Sequence, residues 1–182
     1  DELAEEIVLL TQGMDALKYG EYQKAIEYFN DAEKVNRFVP YLYALRAQAY
    51  LETNAFASAE ADLSKALRYY YQTKKDGAKE LVIYGEVPLS REVQKALQAY
   101  NLYYQRGNVY HHLNRKQPAL EDLSMALKLN PSFSPAARYQ ILVSQNKPPE
   151  KIEHIYPVEI SNVTINQDEG MSERPPGEAT AS

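Results

Sequence analysis

The chain has 182 residues, of which 45% are hydrophobic and 25% charged, a composition typical of one soluble domain that buries a core. Its net charge of −5 argues against a general nucleic-acid-binding role, because contacts to phosphates need a basic surface. No apolar run approaches the roughly 20 residues that span a bilayer, so we expect no membrane span.

The first part of the chain is predicted to form two helical hairpins. The first hairpin has helices over about residues 3–19 and 22–35, where apolar side chains recur at helical spacing. Pro40 opens the next helix, since proline is tolerated in a first helical turn. The following helix begins near Phe56 and is predicted to run past the usual end of such a helix, to a stop at residues 76–77.

The middle of the chain holds an insertion between helical segments. Ser90 is a good N-cap residue, and the apolar stripe after it predicts one long helix over about residues 91–113. That stripe consists of Val93, Leu97, Tyr100 and Tyr104. If the preceding helix is also extended, the two extensions would pack as a protruding hairpin with its tip at residues 77–88. The alternative is a disordered loop with partial helices at each end.

The C-terminal part is predicted to hold a capping helix over residues 134–146 and then an extended tail. A terminal helix of a repeat array needs a polar outer face, which here would consist of Arg138, Gln140, Ser144 and Gln145. Residues 150–165 are rich in β-branched side chains suited to an extended segment, and the polar residues 166–182 are expected to be disordered. The segment from Ile152 to Ile165 either packs on the rest of the chain as an internal plug or orders on a partner.

Three stretches of the chain share one register of small residues, Gly or Asn, and Ala. The first contains Gly13, Gly20, Ala25, Phe29 and Ala32, the second Ala47, Asn54, Ala59, Leu63 and Ala66, and the third Gly107, Asn114, Ala119, Leu123 and Ala126. The step is 34 residues from the first to the second, and 60 from the second to the third, which is one more step plus 26 residues. A period of this size indicates antiparallel helix pairs stacked into a solenoid.

This register resembles the tetratricopeptide repeat family. The third stretch matches best, with Tyr103, Gly107, Tyr110, Ala119, Leu123, Ala126 and Pro131. The resemblance implies an all-α fold, an α-α superhelix of three helical hairpins with a C-terminal capping helix and an extended tail. The helical repeat domain would cover residues 1–147, with repeats at about 6–39, 40–71 and 100–133, an insertion at about 72–98 and the capping helix at 134–146. Residues 148–182 would be an extended, partly disordered tail.

In this family the first helix of each repeat lines a concave groove that binds peptides. The groove residues that the resemblance implies are Leu10, Met14, Leu17, Lys18, Tyr41, Ala44, Gln48, Leu51, Tyr104, Asn108 and His111, with Asn101 and His112 at equivalent positions. Such a mixed apolar and polar strip suits an extended or helical peptide segment of a protein partner, whose backbone could bond Gln48 and Asn108. The alternative is that some of these side chains only contact the tail or the next helix.

One subtype of the family, found in co-chaperones, holds the C-terminal carboxylates of chaperones with Lys, Asn and Arg side chains. The equivalent positions here are Leu10, Met14, Leu45, Asn101 and Gln105. None of them is a cation, and two-point carboxylate recognition depends on charge-assisted bonds. The sequence therefore argues against chaperone C-termini as partners. Arg46 and Arg106 lie one position further on, where we expect buried stems with paired or solvated heads.

We find no residue pattern typical of an enzyme or of a bound cofactor or metal. His111 and His112 are adjacent, so on a helix they point about 100° apart and cannot chelate one ion together. No nucleophile, phosphate-binding loop or carboxylate pair in a cleft is indicated. We therefore interpret the chain as a non-catalytic protein–protein interaction adaptor that binds a partner polypeptide in its groove. The alternative is a structural subunit or assembly factor of a large complex, docking through residues 70–98 and the tail.

The compartment is only weakly constrained by the sequence. Cysteine is absent, which excludes disulfides and thiolate metal sites and favours a reducing compartment such as the cytoplasm, without excluding an oxidising one. The chain opens on Asp1 rather than Met, so we expect a processed or trimmed chain from which any targeting segment has been lost.

Overall fold

The computed structural model describes residues 1–74, 77–78 and 87–152, and every regular element in these ranges is a helix. The helices are α1 Glu2–Lys18, α2 Tyr22–Val35, α3 Pro40–Glu52, α4 Phe56–Thr73, α5 Arg91–Ala96, α6 Ala99–His112, α7 Lys116–Leu129 and α8 Ser134–Ser144. Most of the tip of the predicted insertion hairpin, at residues 79–86, lies outside the described residues. So does the predicted tail after Ile152, including the segment expected to be disordered.

The turns inside the three hairpins are built alike. Gly20, Asn54 and Asn114 have φ angles of 75°, 58° and 60°, the left-handed conformation that Gly and Asn tolerate best. At each turn the next residue's N–H bonds a carbonyl five positions back, as from Glu21 to Ala16 and from Ala55 to Tyr50, both at 2.8 Å. This bond satisfies one of the free carbonyls at the end of the first helix, so the chain reverses directly into the second helix.

The helices of each hairpin cross where the sequence places a small residue. A Cβ added at Gly13 would lie 2.6 Å from Cε1 of Phe29, and one added at Gly107 would lie 3.0 Å from Cγ of Leu123. Phe29 and Leu123 are fully buried, so neither side chain has space to withdraw. Ala47 is buried at the equivalent position of the second hairpin. The shared register therefore corresponds to a shared packing constraint.

Two arginines, the buried Arg46 and the half-buried Arg106, join neighbouring repeats, and we call them the arginine clasps. Arg46 of α3 donates to both carboxylate oxygens of Asp62 in α4, at 2.8 and 2.9 Å, and also reaches Asn30 and Glu33 of α2. Sixty residues later, Arg106 of α6 bonds both oxygens of Asp122 in α7, at 2.7 and 2.8 Å, and Ser64 of α4 at 3.0 Å. Each clasp thus connects one hairpin to the hairpin before it.

The charge of Arg46 is held in place by its partners. Burial opposes the charged form of the guanidinium, but the hydrogen bonds and the charge of Asp62 outweigh burial and keep the pKa of Arg46 above its usual value. The expectation of buried arginine stems with paired heads is confirmed for both clasps.

The insertion differs from the expectation in two respects. Helix α4 does run on to Thr73, but the long helix predicted over residues 91–113 is wrong, since an extended residue, Gln98 with φ −73° and ψ 153°, separates α5 from α6. The described part of the insertion also packs onto the domain. Val87, Ala96 and Leu97 are buried in the same core as α1 to α4, because burying these apolar side chains releases water from them.

We predict that Gly13→Ala destabilises the protein, although Ala normally stabilises a helix by about 1 kcal/mol relative to Gly. The added methyl group would overlap the buried ring of Phe29, and overpacking of this kind costs about 1–3 kcal/mol. Urea denaturation measures the free energy of unfolding. In a Phe29→Leu background the same substitution should cost less, and a neutral or stabilising Gly13→Ala would contradict the packing constraint.

We also predict a large loss of stability for Asp62→Asn. The change leaves the Arg46 guanidinium, whose side chain is 8% exposed, with only the half-buried Glu33 as a counter-charge, and removing one partner of a buried pair costs up to about 3–5 kcal/mol. The matched control is Lys34→Ala, which removes an ion pair at 3.5 Å from a lysine that is 79% exposed and should cost less than about 0.5 kcal/mol. If urea denaturation showed the same loss of unfolding free energy for Asp62→Asn and Lys34→Ala, the arginine clasp would not stabilise the contact between repeats.

Candidate functional site

The predicted groove residues lie on α1, α3 and α6, and the protein covers most of them itself. Seven are buried, namely Leu10, Leu17, Tyr41, Ala44, Gln48, Leu51 and Asn108. Met14, Tyr104 and His111 are half-buried, and Lys18 is exposed. Leu97 of the insertion reaches Tyr41 and Ala44, with which it lines a cavity of only about 10 Å³. The middle of the predicted groove is therefore closed by the chain's own insertion.

One face of α6 carries a polar stripe, made of Asn101, Gln105, Asn108 and His112. Three of these side chains bond main-chain carbonyls: Asn101 bonds Lys95 of α5 at 3.0 Å, Asn108 bonds Tyr104 at 2.8 Å, and His112 bonds Glu150 of the tail at 2.7 Å. The partners of the two end residues belong to the insertion and the tail. The polar stripe therefore contacts polypeptide backbone from outside its own helix at both ends.

Two buried amides near the middle of this region have no hydrogen-bond partner among the residues that the structure describes. Gln48 of α3 and Gln105 of α6 are both fully buried, and neither the Nε2 nor the Oε1 atom of either side chain is bonded. A buried polar group without a partner costs about 1–3 kcal/mol. These amides could bond the main chain of a bound polypeptide or ordered water.

The start of the tail is held by four side chains of α6 and α8, which we call the tail clasp. Arg138 bonds the carboxylate of Glu150 at 2.8 Å, and His112 bonds the carbonyl of Glu150 at 2.7 Å. The Tyr139 hydroxyl accepts the amide N–H of Glu150 at 3.4 Å and bonds Nδ1 of His111 at 2.8 Å. Side chain, carbonyl and amide of one tail residue are thus all engaged.

The next residues of the tail alternate between solvent and protein. Lys151 is exposed, whereas Ile152 is only 7% exposed and joins the core formed by α1 to α4 and the insertion. The groups of Glu150 contact α6 and α8, and the side chain of Ile152 is buried, so both residues fix the start of the tail to the protein.

The tail clasp changes the acid–base properties of its members. The hydrogen bond and charge of Arg138 lower the pKa of Glu150, and burial raises the pKa of Tyr139 to about 12. Burial lowers the pKa of His111 below its ordinary value, and the neighbouring His112 adds to this effect. His111 is therefore neutral near pH 7, and it can accept the Tyr139 hydroxyl proton while that oxygen accepts from Glu150.

Two members of the tail clasp, Arg138 and Tyr139, were missed by the groove prediction. The sequence analysis placed Arg138 on the outer polar face of a capping helix, but the structure places it against Glu150. The register contains the signal, because Arg138 lies 34 residues after the groove residue Tyr104. Helix α8 also ends like the first helices, with Asn146 at φ 57° and a bond from Lys147 N–H to the Leu142 carbonyl. Helix α8 therefore ends in the same way as the first helix of each hairpin.

In the described ranges, no group of three His, Asp or Glu side chains is arranged to hold a metal ion. Among the same residues, none of the helices combines the length and the apolar character that crossing a membrane requires.

Comparison with known proteins identifies the fold. Residues 100–133 match the family model of the tetratricopeptide repeat. The fold is a tetratricopeptide repeat fold. The Arabidopsis OM64 TPR domain has a TM-score of 0.60 and 23% identity, over 80% of this chain and 98% of that one. No curated protein matches the sequence. The expected resemblance and the all-α superhelical fold class are confirmed.

Two further structures with this fold hold peptides. The first TPR of Spaghetti (RPAP3), bound to the HSP90 peptide SRMEEVD, has a TM-score of 0.59 and 23% identity over 79% of this chain and 94% of that one. The second TPR domain of human RPAP3, in complex with the HSP70 peptide SGPTIEEVD, has a TM-score of 0.58 and 21% identity over 79% of this chain and 98% of that one.

These complexes correct the expectation about chaperone C-termini. The exclusion of chaperone C-termini, drawn from five positions without a cation, is wrong, because similar TPR domains hold HSP90 and HSP70 peptides. Helix α8 lies outside those five positions. Arg138 supplies a cation that already binds a carboxylate, that of Glu150.

We predict that the stabilising effect of His111 is lost in acid. Its pKa is lower in the folded protein than the ordinary 6.5, so the unfolded chain binds the proton more readily. The contribution of neutral His111 should be complete above pH 6.5 and decrease as the pH falls from 6.5 through the folded pKa. Thermal unfolding of the wild type and His111→Gln from pH 7.5 to 5.0 checks this, because Gln does not titrate. A difference between the two proteins that does not change with pH would contradict the prediction.

Proposed function

We propose that the protein is a non-catalytic adaptor whose TPR domain binds an extended segment of a partner polypeptide along its concave surface. One observation carries the proposal: the tail clasp holds both main-chain groups of Glu150. Bonds to the main chain do not depend on the identity of the bound side chain. A surface that holds the chain's own backbone in this way can hold the backbone of another chain.

The shape and chemistry of the surface support the same proposal. The polar stripe of α6 supplies amide and imidazole groups, and the half-buried side chains of Met14 in α1 and Tyr104 in α6 supply apolar surface. Peptide-binding grooves combine backbone bonds with apolar pockets in this manner. Similar TPR structures contain bound chaperone peptides, so we include acidic C-terminal peptides of chaperones among the candidate ligands. That step is an analogy between folds.

The alternative of a docking subunit has less support at the insertion. Val87, Ala96 and Leu97 are buried in the core of the domain, so these side chains are not available to a partner. The tail remains relevant to both functions, because it occupies the surface that we assign to the partner.

The proposal predicts that peptides selected on the full-length protein bind its concave surface. A phage-displayed library of random 12-residue peptides would be selected on the wild type, and the affinities of the enriched peptides measured by fluorescence anisotropy. Met14→Glu and Tyr104→Ala change half-buried groove residues and should weaken binding at least tenfold. The control Glu121→Ala changes an exposed residue of α7 and should leave the affinity unchanged.

Circular dichroism would establish that each variant keeps its helical content. An adaptor role in the groove would be refuted if no peptide were enriched, or if the two groove variants bound the enriched peptides as tightly as the wild type does.

A further inference from the structure

We propose that the concave surface recognises an extended segment with an acidic residue followed, two positions later, by a β-branched apolar residue, and that the protein's own Glu150–Ile152 occupies this site as an intramolecular competitor. This inference rests on the proposed adaptor function and names the chemistry of the partner. Three contacts of the tail define the site, one for the acidic side chain, one for the main chain and one for the apolar side chain.

The acidic position is set by Arg138. Its Nη2 and Nη1 atoms lie 2.8 and 3.5 Å from the two carboxylate oxygens of Glu150, a two-point contact that favours a carboxylate over a neutral group. The side chains of the pair are 60% and 46% exposed. Both side chains are accessible to solvent, so the carboxylate of a partner can replace that of Glu150.

The main-chain position is set by His112 and Tyr139. His112 donates from Nε2 to the Glu150 carbonyl at 2.7 Å, and its ring stacks on Phe56 with centroids 4.3 Å apart, which fixes its direction. The Tyr139 hydroxyl accepts from the Glu150 N–H. Any residue except proline offers the same two groups, so these bonds orient the segment and leave the choice of sequence to its side chains.

The apolar position is set by the site that Ile152 fills. The Glu150 carboxylate contacts Arg138 and the Ile152 side chain is buried, whereas the Lys151 side chain between them is exposed. An acidic residue at Arg138 therefore places the second residue after it in the apolar site. Since Ile152 is buried among core side chains, the site suits Ile or Val and disfavours a polar residue.

A second observation indicates that the tail is an incomplete occupant. Gln48 and Gln105 remain buried without partners while the tail is in place. A bound segment that offered main-chain groups to these amides would satisfy them, whereas residues 150–152 do not. A partner with the right side chains therefore has bonds available to it that the competitor lacks.

The peptides in two similar structures contain the same spacing. SRMEEVD and SGPTIEEVD both include Glu-Glu-Val, an acidic residue two positions before a β-branched one. SRMEEVD is therefore a suitable second probe, beside a peptide with the sequence of the tail itself.

The test uses the full-length protein and a fluorescent peptide, KPPEKIEHIY, with the sequence of residues 147–156. The change Ile152→Ser weakens the binding of the protein's own tail to the site. The peptide should therefore bind this variant at least ten times more tightly than it binds the wild type. Lys151→Ala is the matched control, because Lys151 is exposed, and it should behave as the wild type does. If Ile152→Ser loses helical content, Glu150→Ala, which changes an exposed residue, serves as the second releasing variant.

A charge exchange separates recognition from a merely structural role of Arg138. Adding Arg138→Glu to Ile152→Ser should reduce the affinity for KPPEKIEHIY at least tenfold. The peptide KPPRKIEHIY, which carries Arg in place of the acidic residue, should bind that double variant more tightly than KPPEKIEHIY does. A peptide with Ser at the β-branched position, KPPEKSEHIY, should bind Ile152→Ser at least tenfold more weakly. SRMEEVD should also bind Ile152→Ser at least ten times more tightly than it binds the wild type.

Equal binding of KPPEKIEHIY to the wild type and both releasing variants, or no rescue by the exchanged charge, would overturn the inference. Two further outcomes distinguish a failure of this specificity from a failure of the proposed adaptor function. If peptides selected at random bind the groove but neither compete with KPPEKIEHIY nor share its pattern, the adaptor role stands and this specificity is wrong. If the released variants bind no peptide of either kind, both are wrong.

Discussion

The close crossing of two helices inside each hairpin is the constraint on which the rest of the structure depends. At Gly13 and Gly107 there is no space for a methyl group against the second helix, and Ala47 holds the equivalent place in the middle hairpin. Close crossing fixes the direction of each second helix, and the arginine clasps then fix each hairpin against the one before it. Because the close crossing and the arginine clasps recur along the chain, the first helices align on one side and form a common surface.

That common surface is unusual in being polar and buried at once. Polar side chains are buried in proteins when something bonds them, and the polar stripe of α6 is bonded at its ends by backbone from the insertion and the tail. An apolar α6 would pack against a neighbouring helix without needing these segments. Asn101 and Asn108 bond main-chain carbonyls of the chain itself, so this polar face is stabilised by backbone that lies against it.

The sequence allowed the hairpins to be predicted because their determinants are local and repeat. A glycine at a helix crossing, or an asparagine at a left-handed turn, has the same structural role in each repeat. The break at Gln98 could not be predicted, since Val93, Leu97, Tyr100 and Tyr104 continue one helical stripe across it. Only the packing of Leu97 against Tyr41 and Ala44, more than 50 residues away, decides that the chain turns there. The predicted groove was likewise assigned without knowing that the chain covers it, and Arg138 was overlooked because α8 was taken as a cap.

A surface that is already occupied places a thermodynamic condition on any partner. The partner competes with a segment attached to the same chain, whose effective concentration is high because only a few residues connect α8 to Glu150. It can succeed if it makes contacts that residues 150–152 do not make, such as hydrogen bonds to the amides of Gln48 and Gln105. The apparent affinity for a partner is reduced by the fraction of molecules in which the tail is seated. A segment with only the acidic and apolar residues of the tail would therefore bind weakly. A segment that also bonds the buried amides would displace the tail. Occupation of the surface by the tail therefore increases the difference in apparent affinity between partners.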